Sequence, residues 1–171
     1  MANLPDWKNA SHEVTRFVFD QADKYLSTQI TAGIAADQRA TSAAATFSGF
    51  SGAILAASVG YYAAKPDLPM LSAGIATGIA FGIAAGCSFY SARPVDFNYP
   101  GNEPEKWYGS LSQPLDESIG IEAENYSAGI AENAEILAGN AMWLTVAFWA
   151  AAIAPLAGLA LYGIASLFSH G

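Results

Sequence analysis

The chain has 171 residues, 53% hydrophobic and only 13% charged, with a mean hydropathy of +0.26 and a formal net charge of −8. A water-soluble domain carries about 25% charged residues, so the composition excludes an ordinary soluble globule. The acid excess excludes nucleic acid as a partner, since phosphates call for basic patches, and excludes a polybasic anchor on lipid headgroups.

Residues 1–39 are predicted to form a cytoplasmic amphipathic helix. Val14, Val18, Ala22, Tyr25 and Leu26 recur at steps of three and four, with charged residues between them. Asn9 or Ser11 is the candidate cap, with Glu13 in the first turn. The polar opening MANLPDWKNASHEVTRF does not read as a secretory signal peptide. Gly33 is the helix-weakening residue before the first apolar stretch, and the place where one long helix would flex.

No Asp, Glu, Lys or Arg occurs in residues 40–64, 68–92 or 136–171, gaps of 25, 25 and 36 residues. Each exceeds the ~20 residues that cross a hydrocarbon core. The expected fold is therefore an all-α integral membrane protein with three transmembrane helices, two of them continuing as long helices into the cytoplasm. Residues 40–92 form a transmembrane hairpin, with spans at 40–63 and 69–90 joined by Lys65-Pro66-Asp67-Leu68-Pro69. The second span carries Gly74, Gly78, Gly82 and Gly86 at intervals of four. Glycine is a poor helix former in water, but in a bilayer the backbone must satisfy its own hydrogen bonds, and such a row becomes a flat face for close helix contact. The first span offers a second small-residue row at Ser48, Gly52, Ala56 and Gly60. These rows are the candidate packing and oligomer interface.

Residues 93–114 hold Pro94, Pro100, Pro104 and Pro114 and read as a loop, neither helix nor central strand. Phe97, Tyr99, Trp107 and Tyr108 make it a candidate docking loop for another surface. Residues 115–139 are predicted to form a second, acidic amphipathic helix with Ile119, Ala123, Tyr126 and Ile130 on its apolar stripe and Asp116 and Glu117 in its first turn. The third span, residues 140–171, contains Pro155, where a kink is expected.

Counting Lys and Arg sets the orientation. With the N-terminus cytoplasmic, six of the seven lie inside and only Lys65 lies outside, and the C-terminus faces out. The first and third long helices then run parallel. Aligning Arg39 with Asn140 puts Lys24 beside Glu124 or Asn125 and Arg16 near Glu117, the expected inter-helix ion pairs. His12 and His170 fall on opposite sides of the membrane, so they share no metal or triad. Cys87 stands alone, and no phosphate-binding, dinucleotide-binding or metal motif occurs. The reading is non-enzymatic, with no cofactor and no metal.

Ala35-Ala36-Asp37-Gln38-Arg39-Ala40-Thr41, at the junction of the first amphipathic helix and the first span, resembles the Ala-Asp-x-Lys/Arg-Ala element of bacterial Pycsar-type membrane effector domains. Those domains share the order of amphipathic helix, membrane hairpin, loop, amphipathic helix and final span. The segment 125–137, followed by Trp143, sits where that family continues its last long helix into the membrane. The resemblance implies a role in bacterial defence, in which a cyclic-nucleotide signal makes the membrane domain impair the membrane. Family members are basic just before the last span, where this chain has Glu132, Glu135 and Asn140. The expected function is a self-associating, membrane-perturbing or pore-forming protein of the bacterial inner membrane. The alternative is an accessory subunit of a larger, energy-transducing membrane complex. The partners expected are the lipid bilayer, further copies of the chain, or other membrane subunits.

Overall fold

The computed structural model describes residues 6–169, so His170 lies outside the described residues. It is all-helical: α1 (His12–Ala64), α2 (Leu68–Ser91), a short 3-10 helix (Pro104–Ser110) and α3 (Leu115–Ser169). Ser11 caps α1, its Oγ accepting the Val14 N–H at 3.3 Å. The Asp67 carboxylate caps α2 by accepting the Met70 N–H at 3.0 Å, with a proline in the first turn where no N–H is missed. α1 runs unbroken through Gly33, and α3 runs through Pro155. The stretch expected to be free of helix contains the 3-10 helix, whose leading Pro104 fixes φ near the value that turn needs.

All three α-helices are long and apolar enough to cross a membrane, and only 17% of each one's apolar window is buried within the chain. Most of their apolar surface therefore awaits cover from outside this chain.

The chain divides into two compact units. One comprises Met1–Ile34 and Val95–Leu137; the other comprises Ala35–Pro94 and Ala138–Gly171. The second unit, the apolar one, packs around small side chains. Ala43, Phe47, Ala84, Ala85 and Ala147 form its core, with Phe81 and Leu144 packed against them. Phe47 anchors the cluster, edge-on to Phe148 at 5.7 Å and tilted to Phe81 at 6.3 Å between ring centroids. Ser51 Oγ donates to the Gly78 carbonyl at 2.7 Å and Ser91 Oγ to the Asn140 carbonyl at 2.7 Å, tying α2 to α1 and to α3. Both bonds run from a small hydroxyl to a backbone carbonyl of the neighbouring helix, which requires the helices to approach closely. Near the end of α2, Tyr90 meets Trp143 edge-on, and the Arg93 guanidinium lies 4.2 Å over the Tyr90 ring.

The first unit is acidic, holding thirteen of the fifteen carboxylates and four of the seven basic residues. Its inward positions on α1 are Thr15, Leu26, Gln29 and Gly33, all buried. This stripe differs from the one read from the sequence. Val14, Val18 and Tyr25 are exposed, and Leu26 is the member that is fully buried. On α3, Ala123 and Tyr126 are buried as expected, but Ser118, Glu122 and Asn133 are buried beside them. Gln29 Nε2 donates to the Ile130 carbonyl at 3.0 Å, and Phe19 stacks on Tyr126 at 5.4 Å, so the two helices lie side by side here.

Candidate functional site

The most structured polar site of the molecule lies in the acidic unit, where residues 98–102 lie along α3 in the opposite direction to it. Asn98, the lowest point of this strap, exchanges two hydrogen bonds with Asn133: its N–H donates to Oδ1 at 2.9 Å, and its carbonyl accepts from Nδ2 at 3.0 Å. One side-chain amide thus does for Asn98 what a neighbouring strand would do. Asn98 Nδ2 also donates to Glu132 at 2.9 Å. One turn up, Gly129 makes room, since a Cβ there would stand 2.9 Å from that of Asn98. The Gly101 N–H then donates to the Tyr126 hydroxyl at 2.5 Å, and Asn102 Nδ2 to Glu122 Oε1 at 2.7 Å. Gly101 has φ +88°, a left-handed conformation that a side chain would strain. The contacts at 122, 126, 129 and 133 recur at helical spacing, so the strap reads one face of α3.

Beside the strap is a cavity of about 460 Å³, bounded by Leu26 on α1, by Tyr99, Lys106 and Trp107 of the loop, and by Glu122 and Tyr126 of α3. Glu122 is only 4% exposed; its second oxygen accepts from Asn125 Nδ2 at 3.1 Å. Burial pushes the Tyr126 phenol above its ordinary value near 10; the Gly101 N–H opposes the rise, and the carboxylates of Glu122 and Asp23 add to it. Among the described residues no group of three His, Cys, Asp or Glu side chains is arranged to hold a metal.

The docking-loop aromatics divide. Phe97 is half-buried against Gly33, where a Cβ would lie 3.0 Å from the ring, and Trp107 is half-buried at the cavity. Tyr99 and Tyr108 are exposed, at 64% and 63%. Much of the loop is thus docked on its own unit.

The expected ion pairs are replaced by others. Glu117 meets Lys8 at 3.4 Å rather than Arg16, and Glu124 accepts the Trp7 indole N–H at 2.6 Å rather than pairing with Lys24. His12 Nδ1 lies 2.5 Å from Asp116. Among the described residues, Lys8–Glu117 and His12–Asp116 are the two ion pairs. Side-by-side partners are offset by 101 residues at Gln29–Ile130 and 104 at His12–Asp116. An offset fixes height along two helices but not the direction a side chain points, and Arg16 and Lys24 lie on the exposed side of α1. Trp7 reaches Glu124 because Gly120 leaves space; a Cβ there would run into the indole. A tryptophan ahead of the helix, with a glycine and a glutamate four apart on α3, is a signal that periodicity alone does not register.

In the apolar unit the glycine row is used inside the chain. A Cβ at Gly74 would collide with Ser58, and one at Gly78 would lie 2.6 Å from Leu55 Cγ, so α2 packs there on α1. Gly82 has Ser51 at 3.5 Å, and Gly86 has nothing within 4 Å. The row on α1 is the reverse case. Ser48, Gly52, Ala56 and Gly60 are all exposed, and nothing lies within 4 Å of a Cβ placed at Gly52 or Gly60. In the Ala35–Thr41 element, Ala40 is buried, Arg39 is exposed, and the Arg39 Nε donates to the Ala35 carbonyl at 3.2 Å. Comparison with protein-family models, with curated proteins and with solved structures gave no match.

Proposed function

We propose that the protein is a multi-pass protein of the bacterial inner membrane, N-terminus cytoplasmic, that self-associates through α1 and perturbs the membrane as a non-enzymatic effector. The observation that carries this reading is the exposed row Ser48, Gly52, Ala56 and Gly60, a flat helix face that the chain itself leaves uncovered. Small residues at one face let helix backbones approach closely where lipid supplies no hydrophobic drive. The low burial of all three apolar windows supports insertion in lipid, and the distribution of Lys and Arg supports the orientation. The element order and the Ala35–Thr41 sequence, similar to Pycsar-type effector domains, support the effector role, an argument by analogy of layout.

Native mass spectrometry of the solubilised chain tests it. A homo-oligomer is expected, with Gly52→Leu shifting it to monomer while helicity and unfolding temperature hold, because that position touches nothing within the chain. A lone wild-type monomer, or a Gly52→Leu oligomer as robust as the wild type, would sink the proposal. Dye release from vesicles by the wild type and not by the variant tests the effector step. A second reading, an accessory subunit of a larger complex, draws on the exposed Tyr99, Tyr108 and Leu111 at the loop edge. It calls instead for stoichiometric co-purification with unrelated subunits.

A further inference from the structure

We propose that the cavity beside the strap is a binding site for an organic ammonium cation, held by the Glu122 carboxylate and by the aromatic faces of Tyr99 and Trp107. The site belongs to the acidic unit alone and stands whether or not the membrane-effector reading does.

The first argument is the state of Glu122. The residue is only 4% exposed, and its oxygens accept from two neutral amides, Asn102 at 2.7 Å and Asn125 at 3.1 Å. Neither ion pair among the described residues includes it. Taking a carboxylate out of water without a counter-charge is unfavourable, and hydrogen bonds from neutral amides offset only part of that cost. A carboxylate has about four lone-pair sites, so the two amides fix its position and still leave acceptor capacity on a residue that lines the cavity.

The second argument is the lining. A volume of about 460 Å³ falls in the range of ~300–1,000 Å³ of small-molecule sites. A hard divalent ion takes 6–8 oxygens at close range, whereas the cavity offers one carboxylate among amides and rings. An ammonium carrying methyl or methylene groups is weakly hydrated and is attracted by the negative faces of Trp and Tyr, here the half-buried Trp107 and the more exposed Tyr99. The sign of the field agrees, since Glu122 and Asp23 both add to the rise at the Tyr126 phenol. Of the lining residues only Lys106 is a cation, and it is exposed.

Isothermal titration calorimetry of the full chain in dodecyl maltoside, at fixed ionic strength, tests the site. The probes are choline, tetramethylammonium and spermidine, with calcium and a cyclic mononucleotide as the inorganic and anionic comparisons. Saturable binding of at least one ammonium probe is expected. Glu122→Gln, which keeps the shape and removes the charge, should weaken it about tenfold or more. Trp107→Leu, at a half-buried loop position, should weaken it about fivefold. Lys106→Gln should leave binding intact or tighten it, because a like charge is removed. Repeating the choline titration in nanodiscs with and without phosphatidylethanolamine separates the sources of the cation. Competition by the headgroup identifies a lipid amine, and its absence identifies a soluble one. The proposal is overturned if no ammonium probe gives saturable heat, if only calcium or the nucleotide binds, or if neither Glu122→Gln nor Trp107→Leu alters affinity. Loss of binding in Lys106→Gln overturns it as well, since an anion would then be the group recognised.

Discussion

The two units of this chain solve the problem of a small core in opposite ways. Among the described residues, the apolar unit buries Ala40, Ala43, Ala44, Phe47, Ala84, Ala85, Ala147 and Ala154, with three polar side chains, Ser88, Ser91 and Asn140. The acidic unit buries only Leu26, Ala123 and Tyr126 as hydrophobic residues, against five polar ones: Thr15, Gln29, Ser118, Glu122 and Asn133. In the first case shape decides. Alanine and glycine let helices approach until backbone and small hydroxyls meet, and a methyl group added at Gly74, Gly78 or Gly158 collides. In the second case directional bonds decide: Glu122 and Asn133 are matched to the strap and Gln29 Nε2 to the Ile130 carbonyl, while Thr15 Oγ1 and Gln29 Oε1 are buried without a partner among the described residues. Overpacking should therefore damage the apolar unit, and deletion of an amide should damage the acidic one.

The largest effect is expected from Gly158→Leu. A Cβ there runs into Thr77 and lies 3.1 Å from the Ala73 carbonyl, part of a backbone that cannot step aside. About 3 kcal/mol of destabilisation should follow, read by unfolding in mixed micelles. Gly163→Leu on the same helix, with nothing within 4 Å, is the matched control and should be near neutral. Equal changes in the two variants would show that the close contact at position 158 does not govern this unit, since Leu replaces Gly with the same gain in helix propensity at both places.

Asn133→Ala comes next. It removes both bonds to Asn98 and leaves a backbone N–H and carbonyl unpaired, for a loss of about 2 kcal/mol. Hydrogen exchange should quicken in residues 95–110 and stay slow in α2. Equal loosening of α2 would break the contrast between the units.

The smallest effect concerns Tyr126. Removing its hydroxyl in Tyr126→Phe strands the Gly101 N–H, at about 1 kcal/mol. The folded protein holds the phenol proton more tightly than the unfolded chain does. Stability is therefore full below the unfolded value near 10 and falls as pH rises through the higher folded value. The wild type should lose stability across that alkaline window, and Tyr126→Phe should flatten the decline. An identical slope in both proteins would remove the phenol as its cause.

The same contrast explains what could be read from the residues alone. A run of 25 residues without charge has few physical explanations, so the three apolar helices, their order and the Lys65–Pro69 turn are legible. The cap at Ser11 is legible because it needs only one oxygen ahead of one free N–H. The acidic unit hides its interior because periodicity searches weigh apolar side chains. They select Val14, Val18 and Tyr25, which are exposed, and pass over Thr15 and Gln29, one or a few positions away. Glu122 carries no mark that separates it from its exposed neighbours in sequence. Its burial depends on Asn102, twenty residues earlier, folding back over α3. The glycine row was legible as a contact face; that α1 of the same chain fills part of it depends on the placement of Leu55 and Ser58, which spacing cannot supply.

The bond pair between Asn98 and Asn133 has a consequence for biosynthesis. The strap is translated 35 residues before the amide that fastens it. At ~5–20 residues per second, the ribosome takes about 2–7 s to cover that distance. During that interval a proline-rich, aromatic stretch has emerged ahead of its anchor, and it is then that a chaperone or an insertion factor would meet it.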